Sequence, residues 1–398
     1  MLAQLDRTEE WDVIVIGGGA SGLGTALDAA SRGFKTLILE KYDFAKGTSS
    51  RSTKLVHGGV RYLQQGDISL VLEALHERGL MLQNAPHLVR NLSFIIPNYE
   101  WWGGPFYTIG LKMYDMMAGK LGLGPSKSLS QEETIESIPT ILQEGLRGGV
   151  VYHDGQFDDA RMAISLALTC ADHGGTVLNY MDVVGIIKDK VDLVDGVKVK
   201  DRESGRVYNL KAKAVVNATG VWADEVMQMD NPNAKDMIRP SQGVHLVLDK
   251  SFLQSERAIM IPHTSDGRVL FAVPWHNRVI VGTTDTLVDH AEAEPRALEE
   301  EIEFILKTAR TYLTKAPKRS DVKSIFAGLR PLAAPQGDDK STKEISRHHK
   351  ILISLSGLIT ITGGKWTTYR KMGEDAIDKA VILAGLPDRK SITETLAI

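Results

Sequence analysis

The residues near the start of the chain that are best suited to chemistry are glycines. Gly17, Gly19 and Gly22 have the spacing G-x-G-x-x-G, directly after the β-branched run at 12–16 (DVIVI) and before an Ala- and Leu-rich stretch. Gly17 permits a tight turn, Gly19 lets the backbone approach a pyrophosphate, and Gly22 brings the helix against the strand. The N-terminus of that helix supplies N–H groups to an anion. The motif predicts a dinucleotide site, although a purely structural glycine turn is the alternative.

An acidic residue completes this unit. The second β-rich run, at 35–39, ends in Glu40, which lies 18 residues after Gly22. A carboxylate at this place accepts hydrogen bonds from ribose hydroxyls and repels a 2′-phosphate, which disfavours NADP. The chain has one such fingerprint, whereas an enzyme with separate FAD and NAD(P)H sites would usually show two. The sequence therefore favours a tightly held flavin.

Two further runs of small residues follow predicted strands. The stretches at 213–220 (KAVVNATG) and 360–365 (TITGGK) each read as a buried strand that opens onto a turn. Backbone without large side chains could lie against a flat ring system at both places. Ordinary strand ends with turn glycines would give the same pattern.

Composition and charge exclude several classes of protein. The 398 residues carry 47 Lys and Arg against 50 Asp and Glu, a net charge of -3, so no overall field attracts nucleic acid. The single cysteine, Cys170, allows no intrachain disulfide and no multi-thiolate metal site, and we predict no metal. The N-terminus lacks the pattern of a signal peptide, and no apolar stretch is long enough to cross a bilayer. We expect a cytoplasmic protein.

The order of elements indicates an α/β fold with a second, β-rich part. Helices are predicted at about 67–84 and 158–173, the latter with Asp158 as its N-cap and Gly174 past its end. From Gly243 onwards, short β-rich runs separated by turn residues are typical of an antiparallel sheet.

Several segments after the glycine motif resemble, in their order, the FAD-dependent glycerol-3-phosphate dehydrogenase family, which is aerobic and quinone-linked and belongs to the flavoproteins similar to D-amino-acid oxidase. The resemblance extends from residue 11 to about 385. Its landmarks are 48–62 (TSSRSTKLVHGGVRY), 157–161 (FDDAR), 217–223 (NATGVWA), 241–248 (SQGVHLVL), 274–285 (PW to VGTTD), 328–332 (GLRPL) and 363–372 (GGKWTTYRKM).

The resemblance implies a fold and a division into domains. It implies a discontinuous, Rossmann-like FAD-binding domain formed by residues 1–90, 150–230 and 323–398. An antiparallel-sheet cap domain for the substrate would comprise residues 91–149 and 231–322. Members of the family commonly have a further C-terminal helical domain, which we expect to be absent from this chain.

The resemblance also implies the residues that contact the cofactor and the substrate. His245 would be the proton acceptor, with a histidine satisfied in the core as the alternative. His57 is a second candidate, although the two glycines after it favour a role in shaping a turn beside the flavin. Arg330 and Lys365 would also be catalytic. The substrate would contact Arg61, Tyr62, His245, Arg330, Lys365 and Tyr369, although packing in the core explains the two tyrosines equally well. FAD would contact Gly17, Gly19, Ala20, Ser21, Gly22, Glu40, Lys41, Thr48, Ser49, Ser50, Lys54, Leu55, His57, Gly58, Gly59, Val184, Ala218, Thr219, Gly220, Trp222, Gly328, Arg330, Gly363, Gly364, Lys365 and Trp366.

The activity implied is oxidation of sn-glycerol 3-phosphate to dihydroxyacetone phosphate, with hydride transfer to FAD N5 and electrons passed to a membrane quinone. One alternative is an oxidase that uses oxygen and gives hydrogen peroxide. Another is an amino-acid or sarcosine-type oxidase, whose substrate needs one carboxylate clamp rather than a cluster of cations. A flavin-bound scaffold without turnover is a third alternative.

One segment predicts contact with a membrane. Residues 99–123 are rich in aromatics and methionine, with Ile109, Met113, Met116 and Met117 at helical spacing and Lys112 and Lys120 among them. Trp101, Trp102 and Tyr107 are residue types that lie at the level of lipid headgroups. In the family this segment lies at a membrane surface, which implies a peripheral position on the inner face of the cell membrane and allows a homodimer. A helix packed in the core of the cap is the alternative.

Overall fold

The computed structural model describes residues 1–64, 66–100, 103–262, 264, 267–333 and 348–398, and only the backbone of residues 61, 64 and 103. The strands are β1 (Glu10–Ile16), β2 (Thr36–Leu39), β3 (Leu55–Val56), β4 (Val89–Asn98), β5 (Lys127–Leu129), β6 (Gly148–Phe157), β7 (Thr176–Leu178), β8 (Met181–Lys188), β9 (Val194–Asp201), β10 (Val207–Asn217), β11 (Ile238–Asp249), β12 (Ala258–Ile261), β13 (Leu270–Trp275), β14 (Arg278–Gly282), β15 (Thr286–Leu287), β16 (Ser324–Ala333), β17 (Lys350–Ile353) and β18 (Ile359–Thr362). The α-helices are α1 (Gln4–Arg7), α2 (Ala20–Ser31), α3 (Val60–Gln64), α4 (Ile68–Asn84), α5 (Gly103–Ala118), α6 (Gln131–Ser137), α7 (Asp159–Asp172), α8 (Ala223–Asp230), α9 (Glu299–Arg310) and α10 (Tyr369–Leu383).

The first sheet has a parallel centre in the order β18-β10-β1-β2-β7, and β17, β9 and β8 add antiparallel pairs. Its central strand β1 is buried on both faces. Val13 and Val15 join the core beneath α2, α7 and α10, whereas Ile14 and Ile16 join the core on the opposite face. A strand covered on both sides must be apolar throughout, which explains why this run does not alternate.

The second sheet has the order β15-β11-β14-β13-β12-β4-β6-β3, with β16 paired to β11 and β5 to β6. Its pairs are antiparallel except for the parallel pair between β12 and β4. The helices α6 and α9 cover one face, and α4 and α5 contribute to the core on the other. The predicted α/β class with an antiparallel second sheet is confirmed.

The two predicted helices are confirmed within a residue or two as α4 and α7. Asp158 caps α7 by accepting a hydrogen bond from the Arg161 N–H, and Gly174 adopts a positive φ of 86° just past its end. The predicted domain boundaries stay a prediction. Both β6 and β16 pair in the second sheet, although they lie mostly in segments that were predicted to belong to the FAD domain.

Among the described residues, no helix combines the length and the apolar character needed to traverse a lipid bilayer.

A buried ion pair joins α4 to α10. Arg370 Nη2 lies 2.6 Å from Glu77 Oε1, Arg370 Nε lies 2.9 Å from Glu77 Oε2, and both residues are buried. Arg370 also donates to Glu374 and to Thr393 near the C-terminus. The guanidinium therefore links α4, α10 and the C-terminal segment around Thr393.

We expect Arg370→Leu to lower the free energy of unfolding by about 3–5 kcal/mol, because it leaves the Glu77 carboxylate buried without its partner. The control is Arg319→Leu, which removes an ion pair to Glu299 whose two side chains are 50% and 67% exposed. That change should cost about 0–1 kcal/mol. Urea denaturation measures both; equal losses would contradict a structural role for the buried pair.

Candidate active site

A cavity of about 430 Å³ lies at the carboxyl ends of β1, β2 and β10. In sheets of this kind, ligands bind beyond the carboxyl ends of the parallel strands. The predicted cofactor residues that line this cavity are Gly17, Gly19, Ala20, Ser21, Glu40, Lys41, Thr48, Ser49, Ala218, Thr219, Gly220, Trp222, Gly363, Gly364, Lys365 and Trp366.

The glycine turn has the geometry that its motif predicts. Gly17 adopts a positive φ of 107°, and a Cβ on Gly22 would lie 1.8 Å from the Gly17 carbonyl oxygen. Gly22 therefore serves the close approach of α2 to the turn and does not line the cavity. The N–H of Ala20, the first residue of α2, donates to Ser49 Oγ at 2.9 Å, which joins the helix N-terminus to the loop around Thr48.

Glu40 faces the cavity and is held by two backbone groups. Its Oε2 accepts from the Gly18 N–H and its Oε1 from the Tyr42 N–H, both at 2.7 Å. Burial raises the pKa of this carboxyl group, and the two N–H donors oppose that rise. The lone pairs that remain on its oxygens suit the hydroxyls of a ribose.

A second cavity, of about 360 Å³, adjoins the first. Thr48, Pro331 and residues 363–366 line both cavities, so a ligand in one would reach the other. The glycines at 363 and 364 both have positive φ and present backbone at this shared wall. Of the other predicted residues, Leu55, His57, Gly59, Tyr62, His245, Gly328 and Arg330 line the second cavity.

His245 stands on β11 between two strands that pair with it. It lies opposite Gly282 of β14 and Phe326 of β16 in the sheet register. Its ring stacks on Phe326 with centroids 4.7 Å apart, and a Cβ on Gly282 would lie 2.5 Å from the imidazole Cδ2. Its Nε2 lies 2.8 Å from Thr53 Oγ1. Burial, together with the charges of Arg330 and Lys54, lowers the pKa of His245 to about 3, so the ring is neutral near pH 7.

Arg330 is aimed into the second cavity from β16. Its Nη2 donates to Thr283 Oγ1 at 3.1 Å and its Nη1 lies 3.5 Å from Asp285 Oδ1. A Cβ on Gly243 would lie 2.4 Å from Nη2, so the glycine of the SQGVH run makes room for the guanidinium. Asp285 also accepts from the Ser241 hydroxyl, which ties this loop to β11.

Lys365 lies at the shared wall, with its Nζ 4.0 Å from the centre of the Tyr62 ring. Arg51 and Arg268 also line the second cavity. Arg51 makes an ion pair with Glu294 at 2.8 Å. The cavity is thus lined by four cationic side chains and two acidic ones, Asp154 and Asp285, among the described residues.

Asp154 holds the turn at 57–59 through a hydrogen bond to its backbone. This buried carboxylate accepts from Arg78 Nη1 at 2.6 Å, from the Tyr114 hydroxyl at 2.9 Å and from the Gly58 N–H at 3.3 Å. Burial and the charges of Lys365 and Arg78 lower the pKa of His57 to about 3. Both candidate proton acceptors are therefore neutral imidazoles.

Several predicted site residues lie outside both cavities. Val184 is 42% exposed, and its neighbour Val183 lines the cofactor cavity instead, because successive side chains of a strand point to opposite faces. Tyr369 is buried in the core beside Trp366 and against Gly24.

Two further residues that were predicted to contact FAD line neither cavity and make contacts within the surrounding structure. Lys54 donates to Asp159 and to the Ser50 carbonyl oxygen, and Gly58 packs against Leu75 and Tyr114. The side chain of Arg61 lies outside the described part of the chain.

Sequence reasoning missed Arg51, Thr53, Asp154 and Arg268. The first two stand in the run TSSRST, whose wealth of hydroxyls and cations was a usable signal. Asp154 and Arg268 lie on strands or turns distant in sequence from any motif. Nothing local marks them as cavity residues.

A parallel-sheet dinucleotide cavity that opens into a cation-lined cavity beneath an antiparallel sheet defines a two-part oxidoreductase dependent on a dinucleotide. The family described as FAD dependent oxidoreductase matches residues 12–370. The chain belongs to this family, and its cofactor is FAD.

The chain is also similar to individual proteins. It is 46% identical over 402 residues to the mitochondrial glycerol-3-phosphate dehydrogenase of Rattus norvegicus, which covers 97% of this chain and 55% of that protein. It is 42% identical to the protein of the same name from Schizosaccharomyces pombe, over 96% of this chain and 62% of that one. The chain thus spans little more than half the length of these relatives.

Two solved structures share the fold over nearly the whole chain. The glycerol-3-phosphate dehydrogenase of Bacillus halodurans, complexed with FAD, has a TM-score of 0.78 and 35% identity and covers 97% of this chain and 67% of its own. The L-α-glycerophosphate oxidase of Mycoplasma pneumoniae, with FAD bound, has a TM-score of 0.76 at 17% identity, over 98% of this chain and 99% of its own. The second likeness concerns the fold alone.

Stability should depend on pH through His245. Its pKa in the folded protein is about 3, below the value of about 6.5 in an unfolded chain, so the unfolded state gains protons first as the pH falls. Between pH 7.5 and 5 this group alone should remove about 2 kcal/mol of stability. We expect His245→Asn to flatten the pH dependence of the unfolding free energy by that amount in urea denaturation.

The matched control for this measurement is His173→Asn, because His173 is exposed at the end of α7. Its variant should keep the pH dependence of the original protein. An unchanged dependence in His245→Asn would show that the imidazole is not held neutral by burial.

Proposed function

We propose that the protein oxidises sn-glycerol 3-phosphate to dihydroxyacetone phosphate. The observation that carries the proposal is the group of cationic side chains around a cavity that adjoins the FAD cavity. The names of the relatives support the substrate.

A phosphate monoester has a charge of about −1.5 to −2 near neutral pH. Its burial requires cations, and guanidinium groups match its oxygens in pairs. Arg330, Lys365, Arg51 and Arg268 are the described side chains that would hold it, together with Arg61 from the sequence prediction. A substrate with a single carboxylate needs one carboxylate clamp rather than a group of four cations, which disfavours an amino-acid oxidase.

The chemistry then needs a proton acceptor for the alcohol. FAD, when bound, supplies the electron-accepting chemistry, with N5 as the acceptor of the hydride. His245 is our candidate for the acceptor of the hydroxyl proton because it is neutral and next to the cation-lined cavity. His57 is the second candidate, because it is also neutral and lines the same cavity. The negative charge of a bound phosphate would raise the proton affinity of either ring.

Electrons would then pass to a membrane quinone. Oxygen is the alternative acceptor, which would make the protein an oxidase that produces peroxide. Oxygen uptake with substrate in the absence of quinone would favour the oxidase.

The direct test is reduction of the holoenzyme without air. We expect glycerol 3-phosphate to bleach the flavin absorbance and glycerol to leave it unchanged at the same concentration, because the cations are occupied only by a phosphorylated substrate. No bleaching by glycerol 3-phosphate, with bound flavin verified, would remove the proposal.

The same assay tests whether Arg330 binds the phosphate group of the substrate. Arg330→Ala should retain flavin and reduce the second-order rate constant for reduction by about 10²-fold or more, since a charge-assisted bidentate contact is lost. Arg161→Ala, at an exposed position on α7, is the matched control and should behave as the original protein.

For contact with a membrane we propose the outer face of α5. Phe106, Ile109, Met113 and Met116 recur at helical spacing and are exposed, Met116 by 76%. Lys112 and Lys120 are exposed beside them. An apolar stripe flanked by lysines suits the interface of an anionic bilayer.

The outcome differs for the aromatic residues that were predicted to contact a membrane. The opposite face of α5 packs in the core, including Tyr107, which was expected at the level of the headgroups and is buried. Trp101 and Trp102 lie outside the described residues. The relatives are named mitochondrial, and the cytoplasmic location, the peripheral position on the inner face and the homodimer stay predictions.

Replacing Ile109, Met113 and Met116 together by Gln should weaken sedimentation with vesicles of phosphatidylcholine and phosphatidylglycerol by about tenfold or more, because apolar area is lost from the interface. The control replaces Ile164 and Leu168 by Gln, two exposed apolar residues one turn apart on α7. Equal effects of the two sets would argue against α5 as the docking face.

A further inference from the structure

Thr53 lies between two residues that are fixed by one carboxylate. Asp159, at the start of α7, accepts from the Ser52 hydroxyl at 2.7 Å and from Lys54 Nζ at 2.8 Å. Lys54 has a positive φ of 64°, and its N–H donates to Ser52 Oγ at 2.9 Å. The backbone on both sides of Thr53 is therefore held, and its side chain points to the second cavity.

The hydroxyl of Thr53 contacts one ring nitrogen of His245: Oγ1 lies 2.8 Å from Nε2. His245 is 2% exposed. Its Nδ1 is buried, and no described residue makes a hydrogen bond with that atom. Unsatisfied buried polar atoms of this kind call for an explanation, and a catalytic role is one.

Resting on the proposed function, we propose that Thr53 relays the proton of the substrate hydroxyl to His245. A hydroxyl can donate one hydrogen bond and accept another at the same time. Thr53 can therefore donate to Nε2 while it accepts from an alcohol in the cavity. Direct contact between that alcohol and Nε2 would require the Thr53 side chain to move away from Nε2.

The C–H bond of the substrate carbinol breaks and its electron pair leaves as hydride to the flavin, the oxidant. The O–H proton passes to Thr53 Oγ1, the former Thr53 proton passes to His245 Nε2, and the C–O bond becomes a carbonyl. Thr53 ends as a hydroxyl and the imidazole as an imidazolium.

The relay fixes the tautomer of the ring in the resting protein. Nε2 must be without a proton in order to accept one, so the proton of the neutral imidazole lies on Nδ1. Phe326 and the space left by Gly282 hold the ring plane, and Thr53 fixes the direction of Nε2. Lys54 and Arg330 are the charged neighbours that keep the ring neutral, and Asp159 and Asp285 are their acidic partners.

The test uses the holoenzyme with Thr53→Val, which removes the hydroxyl at nearly constant volume, and Thr53→Ser, which keeps it. We expect Thr53→Val to slow anaerobic flavin reduction by glycerol 3-phosphate by about 10²-fold or more, and Thr53→Ser to restore most of the rate. The dissociation constant of dihydroxyacetone phosphate, read from the flavin spectrum, should change little in either variant. The solvent deuterium isotope effect of the original protein should be lost or altered in Thr53→Val.

Thr169→Val is the matched control, since its hydroxyl donates to the Ser165 carbonyl oxygen on α7, away from both cavities. It should keep the original rate. A Thr53→Val enzyme that reduces flavin at the original rate would overturn the relay and leave the proposed function intact. If the original enzyme is not reduced at all, both proposals fail.

A second readout does not depend on turnover. Nitrogen NMR of histidine-labelled holoenzyme reports which ring nitrogen of His245 carries the proton. The relay predicts a bare Nε2 near pH 7 and a proton on Nδ1. A proton on Nε2 would overturn it, whatever the rates.

Discussion

A multiply charged phosphate can enter a cavity beside a flavin only if the protein places positive charge around that cavity. Taking such charges out of water is expensive, so each cation must be fixed by groups that leave part of it facing the cavity. Arg330 illustrates the solution: Thr283 and Asp285 hold it from the side, and Gly243 leaves it room. The rest of the site brings these cations around the cavity that adjoins the cofactor cavity.

The strand register of the second sheet brings the residues of the second cavity together. β11 pairs on one side with β14 and on the other with β16, so residues far apart in sequence meet across it. His245 thereby gains Phe326 as a stacking partner and the space above Gly282, while Arg330 comes from β16 opposite Ser241. The first sheet supplies the other half, because its parallel strands all present their carboxyl ends to the dinucleotide. Residues 363–366, which follow β18 of the first sheet, form part of the wall that the two cavities share.

Local patterns in the sequence were enough to predict what local interactions determine. The glycine spacing predicted the turn between β1 and α2, and Asp158 with Gly174 predicted the limits of α7. The choice between Val183 and Val184 depends on the face that β8 presents, which no local pattern reveals. The contact between Thr53 and His245 joins residues 192 positions apart and depends on the pairing of whole strands. Tyr369 was assigned to the pocket from its position in a motif, but the start of α10 directs it into the core against Gly24.

The most direct measurement is a crystal structure of the holoenzyme with dihydroxyacetone phosphate. We expect the phosphate within hydrogen-bond distance of Arg330 and Lys365, and the carbonyl oxygen beside Thr53 and over the flavin. A phosphate bound outside the cation-lined cavity, or a carbonyl turned away from the flavin, would contradict it.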